Sequence, residues 1–287
     1  MNIKNFTSQA VIYKDSRAAC KTRLVLPRPC SFSGKCPIKL RFLLEALSKL
    51  EFCKSFSIYN LTYPFYNYHM NIFMMALIFF ALVSVMHIVF IILKKETARR
   101  VTKALVVPPL LLAYITGAQQ FFFFPIPALI LGWIGDLLLI RIDKKKNFQL
   151  GLAAFLLGHI FYIVTFIQIL WQSGGSVNVT ALLIFTPQAL VLGMVVFRLI
   201  KPTREMRIPV IFYMVFLVSM GLFGFQVFLL NPGAAGLLLV SGCFSFMISD
   251  TILAYYTFRK PKISGAVLIM GFYILAQAEI ILGLTAL

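Results

Sequence analysis

MNIFMMALIFFALVSVMHIVFIIL, residues 70–93, is followed at 94–103 by KKETARRVTK. A helix needs about 20 apolar residues to cross the hydrocarbon of a bilayer, and the first stretch supplies them with His87 as its one ionisable side chain. The second stretch sets five Lys or Arg against one Glu and ends the apolar run abruptly. Together they read as a membrane span and a basic loop, and the same alternation recurs to the end of the chain.

Reading outward from there, the spans fall at 70–93, 104–117, 120–140, 148–171, 177–199, 208–230, 234–257 and 264–287. The expected fold is therefore all-α, a polytopic membrane protein of eight transmembrane helices. The second span is short, about 21 Å as a helix, and Pro108, Pro109, Pro125 and Pro127 around it predict a kinked or broken backbone. Lys and Arg test this division independently, because basic residues collect in cytoplasmic loops. The successive loops carry 5, 0, 4, 0, 4, 0 and 3 of them, and the C-terminus 0. That pattern predicts cytoplasmic basic loops, both ends of the eight-helix unit outside, and, in a bacterium, residence in the cytoplasmic (inner) membrane.

Composition agrees: 60% of the 287 residues are apolar, 13% charged, and 29 are Phe. The formal charge of +18 is scattered in short clusters between apolar blocks, unlike a nucleic-acid surface, so no nucleic-acid partner is expected. Residues 1–69 hold 11 of the 27 basic residues and four of the five Cys, which fits poorly with an outer location. The expectation is an extension outside the conserved fold, with translation starting at Met70 and residues 70–287 forming the membrane domain. The Cys residues, at 20, 30, 36, 53 and 243, have no zinc or redox spacing.

Ionisable groups inside a membrane are costly and are read first as functional. Of nine acidic residues three fall within spans, Asp136, Asp250 and Glu279. Helical rise places Asp136 about 6 Å and Asp250 about 12 Å from the basic side, on spans running in the same direction. The two could meet in one cavity open to the cytosol, with Glu279 in the outward half. The alternative for each Asp is a structural hydrogen bond between helices. His159 and Tyr162 share a helix face, as do Tyr273 and Gln277, and Tyr213 lies among the remaining tyrosines. Only three His occur, His69, His87 and His159, so a three-His zinc site inside the membrane cannot be built, and no GxSxG elbow is present. No metal and no cofactor are expected.

These residues sit in stretches that resemble the YhhN family, the lysoplasmalogenases, over nearly all of residues 70–287. The resemblance rests on Gly135-Asp136 in LGWIGDLLLI, Gly151 and Gly158-His159 with Tyr162 in FQLGLAAFLLGHIFYI, Tyr213 and Met220 in IPVIFYMVFLVSM, Ser249-Asp250 in SGCFSFMISDTILAYYTF, and Tyr273 and Gln277 in MGFYILAQAEIILG. Lys103 matches a lysine before the family's second helix, although the usual proline after it is Ala104 here. The resemblance implies an eight-helix hydrolase that opens the vinyl ether of lysoplasmalogens, releasing a fatty aldehyde and glycerophosphoethanolamine or glycerophosphocholine, with Asp136 and Asp250 as essential acids. It makes His159, Tyr162, Tyr213, Ser249, Tyr273, Gln277 and Lys103 candidates for supporting or substrate-binding roles.

The chemistry is compatible. Vinyl ethers are opened by acid, so one protonated carboxylate, expected to be Asp250, and one ionised carboxylate, Asp136, would suffice. The expected partners are a lysophospholipid substrate, whose phosphate could meet Lys103, Arg141 or Arg259, and membrane lipids. A proton-coupled transporter, a hydrolase of another ether or ester lysolipid, and a scaffold without chemistry are the competing readings. The missing inverted repeat speaks against the transporter.

Overall fold

The computed structural model describes residues 70–140, 145–175, 177–259 and 265–287. The expectations for residues 1–69, Arg141, Lys144, Lys260 and Lys262 lie outside the described residues.

Among the described residues every regular element is helical. The helices are α1 (Met70–Ile92), α2 (Glu96–Gly117), α3 (Pro125–Leu139), α4 (Lys145–Gln172), α5 (Val179–Ile200), α6 (Arg207–Leu230), α7 (Ala234–Arg259) and α8 (Ala266–Thr285), with a 3-10 turn at Arg204–Met206 before α6. Helices are what apolar runs must form where no water can satisfy the backbone. The outward faces are as greasy as the interior: Leu82, Leu183, Val191 and Leu237 are all more than half exposed, the mark of a surface solvated by lipid. Exposed Lys94, Lys95, Arg198, Lys201, Arg204, Arg207 and Arg259 gather at the helix ends where the charge pattern placed them.

Six of the eight helices are both long and apolar enough to cross a bilayer, namely α1, α4, α5, α6, α7 and α8. This makes the chain an integral, polytopic membrane protein. The other two depart from expectation for stated reasons. α3 begins at Pro125, which takes the first helical position where its missing N–H is not needed, so the span predicted from 120 loses its first turn. α2 runs from Glu96, well before the predicted start at 104, and carries Glu96, Arg99, Arg100 and Lys103 in its opening turns. With Ala at 104 a backbone N–H is available, so the helix continues upstream through Lys103. Pro108 and Pro109 lie inside α2.

Six helices close a ring. α2 packs on α3, α3 on α4, α4 on α6, α6 on α7, α7 on α8, and α8 back on α2. α1 lies against α2, where His87 Nδ1 and Thr102 Oγ1 are 2.9 Å apart. α5 leans on α6 and α7. The closest seam is α7 on α8. A Cβ built at Gly242 would stand 2.9 Å from the Ile280 nitrogen and 3.0 Å from the Ala276 oxygen, so glycine is required for that approach.

Candidate active site

Every helix of the ring contributes a polar or aromatic side chain to its centre. Lys103 comes from α2, Asp136 from α3, His159 and Tyr162 from α4, Tyr213 from α6, Phe246, Ser249 and Asp250 from α7, and Tyr273 and Gln277 from α8. Helical periodicity points each of them inward while its neighbours face lipid. The residues form two groups on either side of one ring.

The first group surrounds Asp136. Lys103 Nζ lies 3.4 Å from Oδ1, and the Tyr273 hydroxyl donates to Oδ2 at 2.6 Å. Gln277 Nε2 donates to the Tyr273 hydroxyl at 3.3 Å, and the Tyr162 hydroxyl donates to Gln277 Oε1 at 3.0 Å. A file of hydrogen bonds thus runs from α2 through α3 and α8 to α4. Gly132, one turn before Asp136, leaves room for it: a Cβ there would stand 3.4 Å from Gln277 Nε2 and 3.7 Å from the Tyr273 hydroxyl.

The second group surrounds Asp250. The Tyr213 hydroxyl donates to Oδ2, and His159 Nε2 lies 3.9 Å from the same oxygen. The His159 ring is buried, and neither of its nitrogens has a hydrogen-bond partner. It is held by edge contacts with Tyr213 and Phe246, at centroid distances of 5.3 and 4.7 Å. At 3.9 Å the imidazole and carboxylate are too far apart for a direct hydrogen bond.

Phe246 separates the groups. Its ring stacks edgewise on Tyr273 at 5.6 Å as well as on His159, and it is 1% exposed. The carboxylates remain near enough for their charges to interact. Among the described residues the cavity beside Asp250 does not reach Asp136, whereas a common cavity was expected. An apolar cavity of about 330 Å³ is lined by Asp250 and Tyr213 but not by Asp136. Asp136 is 2% exposed and bonded to Tyr273, whose ring stands edgewise at 6.0 Å on the cavity-lining Phe155.

All nine predicted site residues are accounted for. Eight join the two groups, and Ser249 instead donates to the Ile269 carbonyl at 3.0 Å, tying α7 to α8. Lys103 is part of the Asp136 group although Ala104 replaces the proline that usually follows it; the Ala104 carbonyl accepts a 2.7 Å bond from Trp133 Nε1, which fixes α2 against α3 at that level. Glu279 stays apart and accepts from Ser245 at 2.9 Å. Phe246 was missed, since nothing in sequence distinguishes it among 29 phenylalanines. Among the described residues no cluster of His, Cys, Asp or Glu is arranged to hold a metal ion.

The family model of the YhhN family matches residues 98–284. The chain belongs to the YhhN family. The match runs from the first turn of α2 to the last turn of α8 and includes every residue of both groups. No curated protein and no solved structure matches the chain. Membership in the YhhN family suggests a lysoplasmalogenase-like membrane protein, a family associated with hydrolase activity.

Proposed function

We propose that this protein is a membrane hydrolase that cleaves the vinyl ether bond of lysoplasmalogens, yielding a fatty aldehyde and glycerophosphoethanolamine or glycerophosphocholine. In this reading all eight helices cross the bilayer with the basic loops on the cytoplasmic side, and residues 70–287 form the catalytic domain. The observation that carries the proposal is a carboxylic acid, Asp250, at the wall of an otherwise apolar cavity beside an imidazole with no partner of its own.

The chemistry follows from that placement. Asp250 delivers a proton to the β-carbon of the vinyl ether, and the electron pair of the double bond forms the new C–H bond. The oxygen-stabilised cation left behind is attacked at the α-carbon by water. His159, beside Asp250, orients that water and takes its proton. The resulting hemiacetal collapses, with one proton passing to the departing glycerol oxygen and one leaving the hydroxyl as the aldehyde forms. One water is consumed and Asp250 is reprotonated. Tyr213 holds Asp250 in orientation. Asp136 is a positioning and electrostatic residue, held in a charged network by its ion pair with Lys103 and the bond from Tyr273.

The test is aldehyde release from lysoplasmenyl-ethanolamine by purified protein in detergent, comparing wild type with folded Asp250→Asn and Asp136→Asn. Loss with Asp250→Asn and strong reduction with Asp136→Asn are expected. A folded wild type inert toward lysoplasmenyl lipids would overturn the reading. The continuous file from Lys103 to Tyr162 favours a second one, a proton-coupled transporter, for which pH-driven flux in liposomes is the measurement.

A further inference from the structure

The cavity beside Asp250 does not end at the polar centre. It extends to α5, the most loosely held helix of the bundle: of its 22 residues only Ala181 and Ile200 are buried. α5 packs on α6 and α7, whereas α4, its neighbour in sequence, is not among the helices packed against it. Both nevertheless line the cavity, through Phe148 and Leu152 on α4 and Leu192 and Val196 on α5. Between those two helices the cavity therefore faces lipid.

The wall that α5 presents is a single stripe, Ala189, Leu192, Gly193, Val196 and Ile200, at helical spacing. Two of its members are small, and they make the space. A Cβ at Gly193 would meet only the tip of Met214, at 3.7 Å. The volume, about 330 Å³, lies at the lower end of the roughly 300–1,000 Å³ of small-molecule sites. At the end where Ile200 and Val210 line it, the α5–α6 connection and the first residue of α6 carry exposed Lys201, Arg204 and Arg207. Tyr213 stands about 9 Å up α6 from Arg207, a span that a glycerophosphate bridges.

We propose that the cavity between α4, α5, α6 and α7 is the site of the substrate's hydrocarbon tail, entered sideways from the bilayer between α4 and α5. Its occupant is a single-chain phospholipid whose phosphate meets the basic α5–α6 connection while its first chain carbons come level with Asp250. The inference rests on the hydrolase reading and adds to it the route of entry and the determinant of chain length. Gly193 and Ala189 set how much tail the site accepts.

Two measurements on the full chain separate this proposal from the reading beneath it. In the first, aldehyde release is compared for lysoplasmenyl-ethanolamines with octadecenyl and octenyl chains. Gly193→Phe is expected to lower kcat/KM for the long chain about tenfold or more relative to the short one. Leu190→Phe, on a part of α5 that is 61% exposed and outside the cavity, leaves the ratio unchanged. Ala189→Leu, a smaller insertion on the same stripe, repeats the test should the larger ring prevent folding.

In the second, a lysophosphatidylethanolamine with a tail diazirine is photolysed with the protein. Labelling of the Ala189–Ile200 stripe that is lost in Gly193→Phe supports the site; labelling unaffected by that change overturns it. A wild type that releases aldehyde with an unaltered chain-length ratio in the folded stripe variants refutes the tail site and leaves the hydrolase standing. A wild type that is inert but labelled refutes the hydrolase and leaves the lipid site.

Discussion

Lys103→Met should strain the protein at Asp136, and the pair can be measured by a double-mutant cycle. The ammonium and the carboxylate stand 3.4 Å apart, with side chains 12% and 3% exposed. At an effective dielectric constant of about 20 their attraction is about 5 kcal/mol before desolvation is subtracted. Removing the cation leaves a buried carboxylate with the Tyr273 hydroxyl as its remaining hydrogen-bond donor, a change that typically destabilises by about 3–5 kcal/mol. Asp136→Asn should be milder, because the flexible Lys103 side chain can reach toward the polar edge of the membrane, and a loss of about 1–2 kcal/mol is expected. The double variant removes both charges and should cost about 2–4 kcal/mol where the single losses together would give about 4–7, a coupling of about 2–3 kcal/mol. Denaturant unfolding of the purified protein in mixed micelles reads these differences, and the melting temperature of Lys103→Met should fall by about 6–20 °C. Strictly additive single variants, with coupling below about 0.5 kcal/mol, would refute the ion pair as a contributor to the α2–α3 contact beside the Trp133–Ala104 bond.

Three further outcomes follow from the same geometry. Tyr213→Phe removes the hydroxyl that orients Asp250 and should lower kcat about 10- to 100-fold with KM little changed, as steady-state aldehyde release would show. His159→Phe breaks no hydrogen bond, since both ring nitrogens lack partners; it should therefore keep stability within about 1 kcal/mol while activity falls about 10²–10⁴-fold, and an active variant would remove His159 from the mechanism. Gly132→Val presses on Gln277 and Tyr273 and should destabilise by about 1–3 kcal/mol through overpacking, read by thermal unfolding against Gly271→Val, where nothing lies within 4 Å of an added Cβ.

The site was legible in proportion to how much each residue offends its surroundings. Asp136, Asp250 and Lys103 are charged groups in or beside apolar runs, and such groups advertise themselves because hydrocarbon penalises them. His159, Tyr162, Tyr273 and Gln277 were weaker signals, recoverable from helical spacing and from family motifs. Phe246 gave no signal, because a phenylalanine in a membrane helix is unremarkable until the two side chains that it separates are known. Ser249 neighbours Asp250 in sequence, yet one residue is 100° around a helix, and its hydroxyl turns to α8 instead of joining the Asp250 group.

Hydropathy and charge alone determined that this chain is helical, that it lies in a membrane, and which helix ends carry its basic residues. Those properties depend on the local exchange between side chain and solvent, which composition over about 20 residues expresses fully. They also located six long spans closely, and erred at α2 and α3, where proline position and a charge partner on another helix outweigh hydropathy. Tertiary structure decided which helices close the ring, that Asp250 meets the cavity while Asp136 is buried against Tyr273, and that α5 packs on α6 and α7 but not on α4. Those outcomes depend on which small residues permit close approach and which faces meet across the bundle, and in a chain apolar on every face, packing between distant segments is the only thing that chooses.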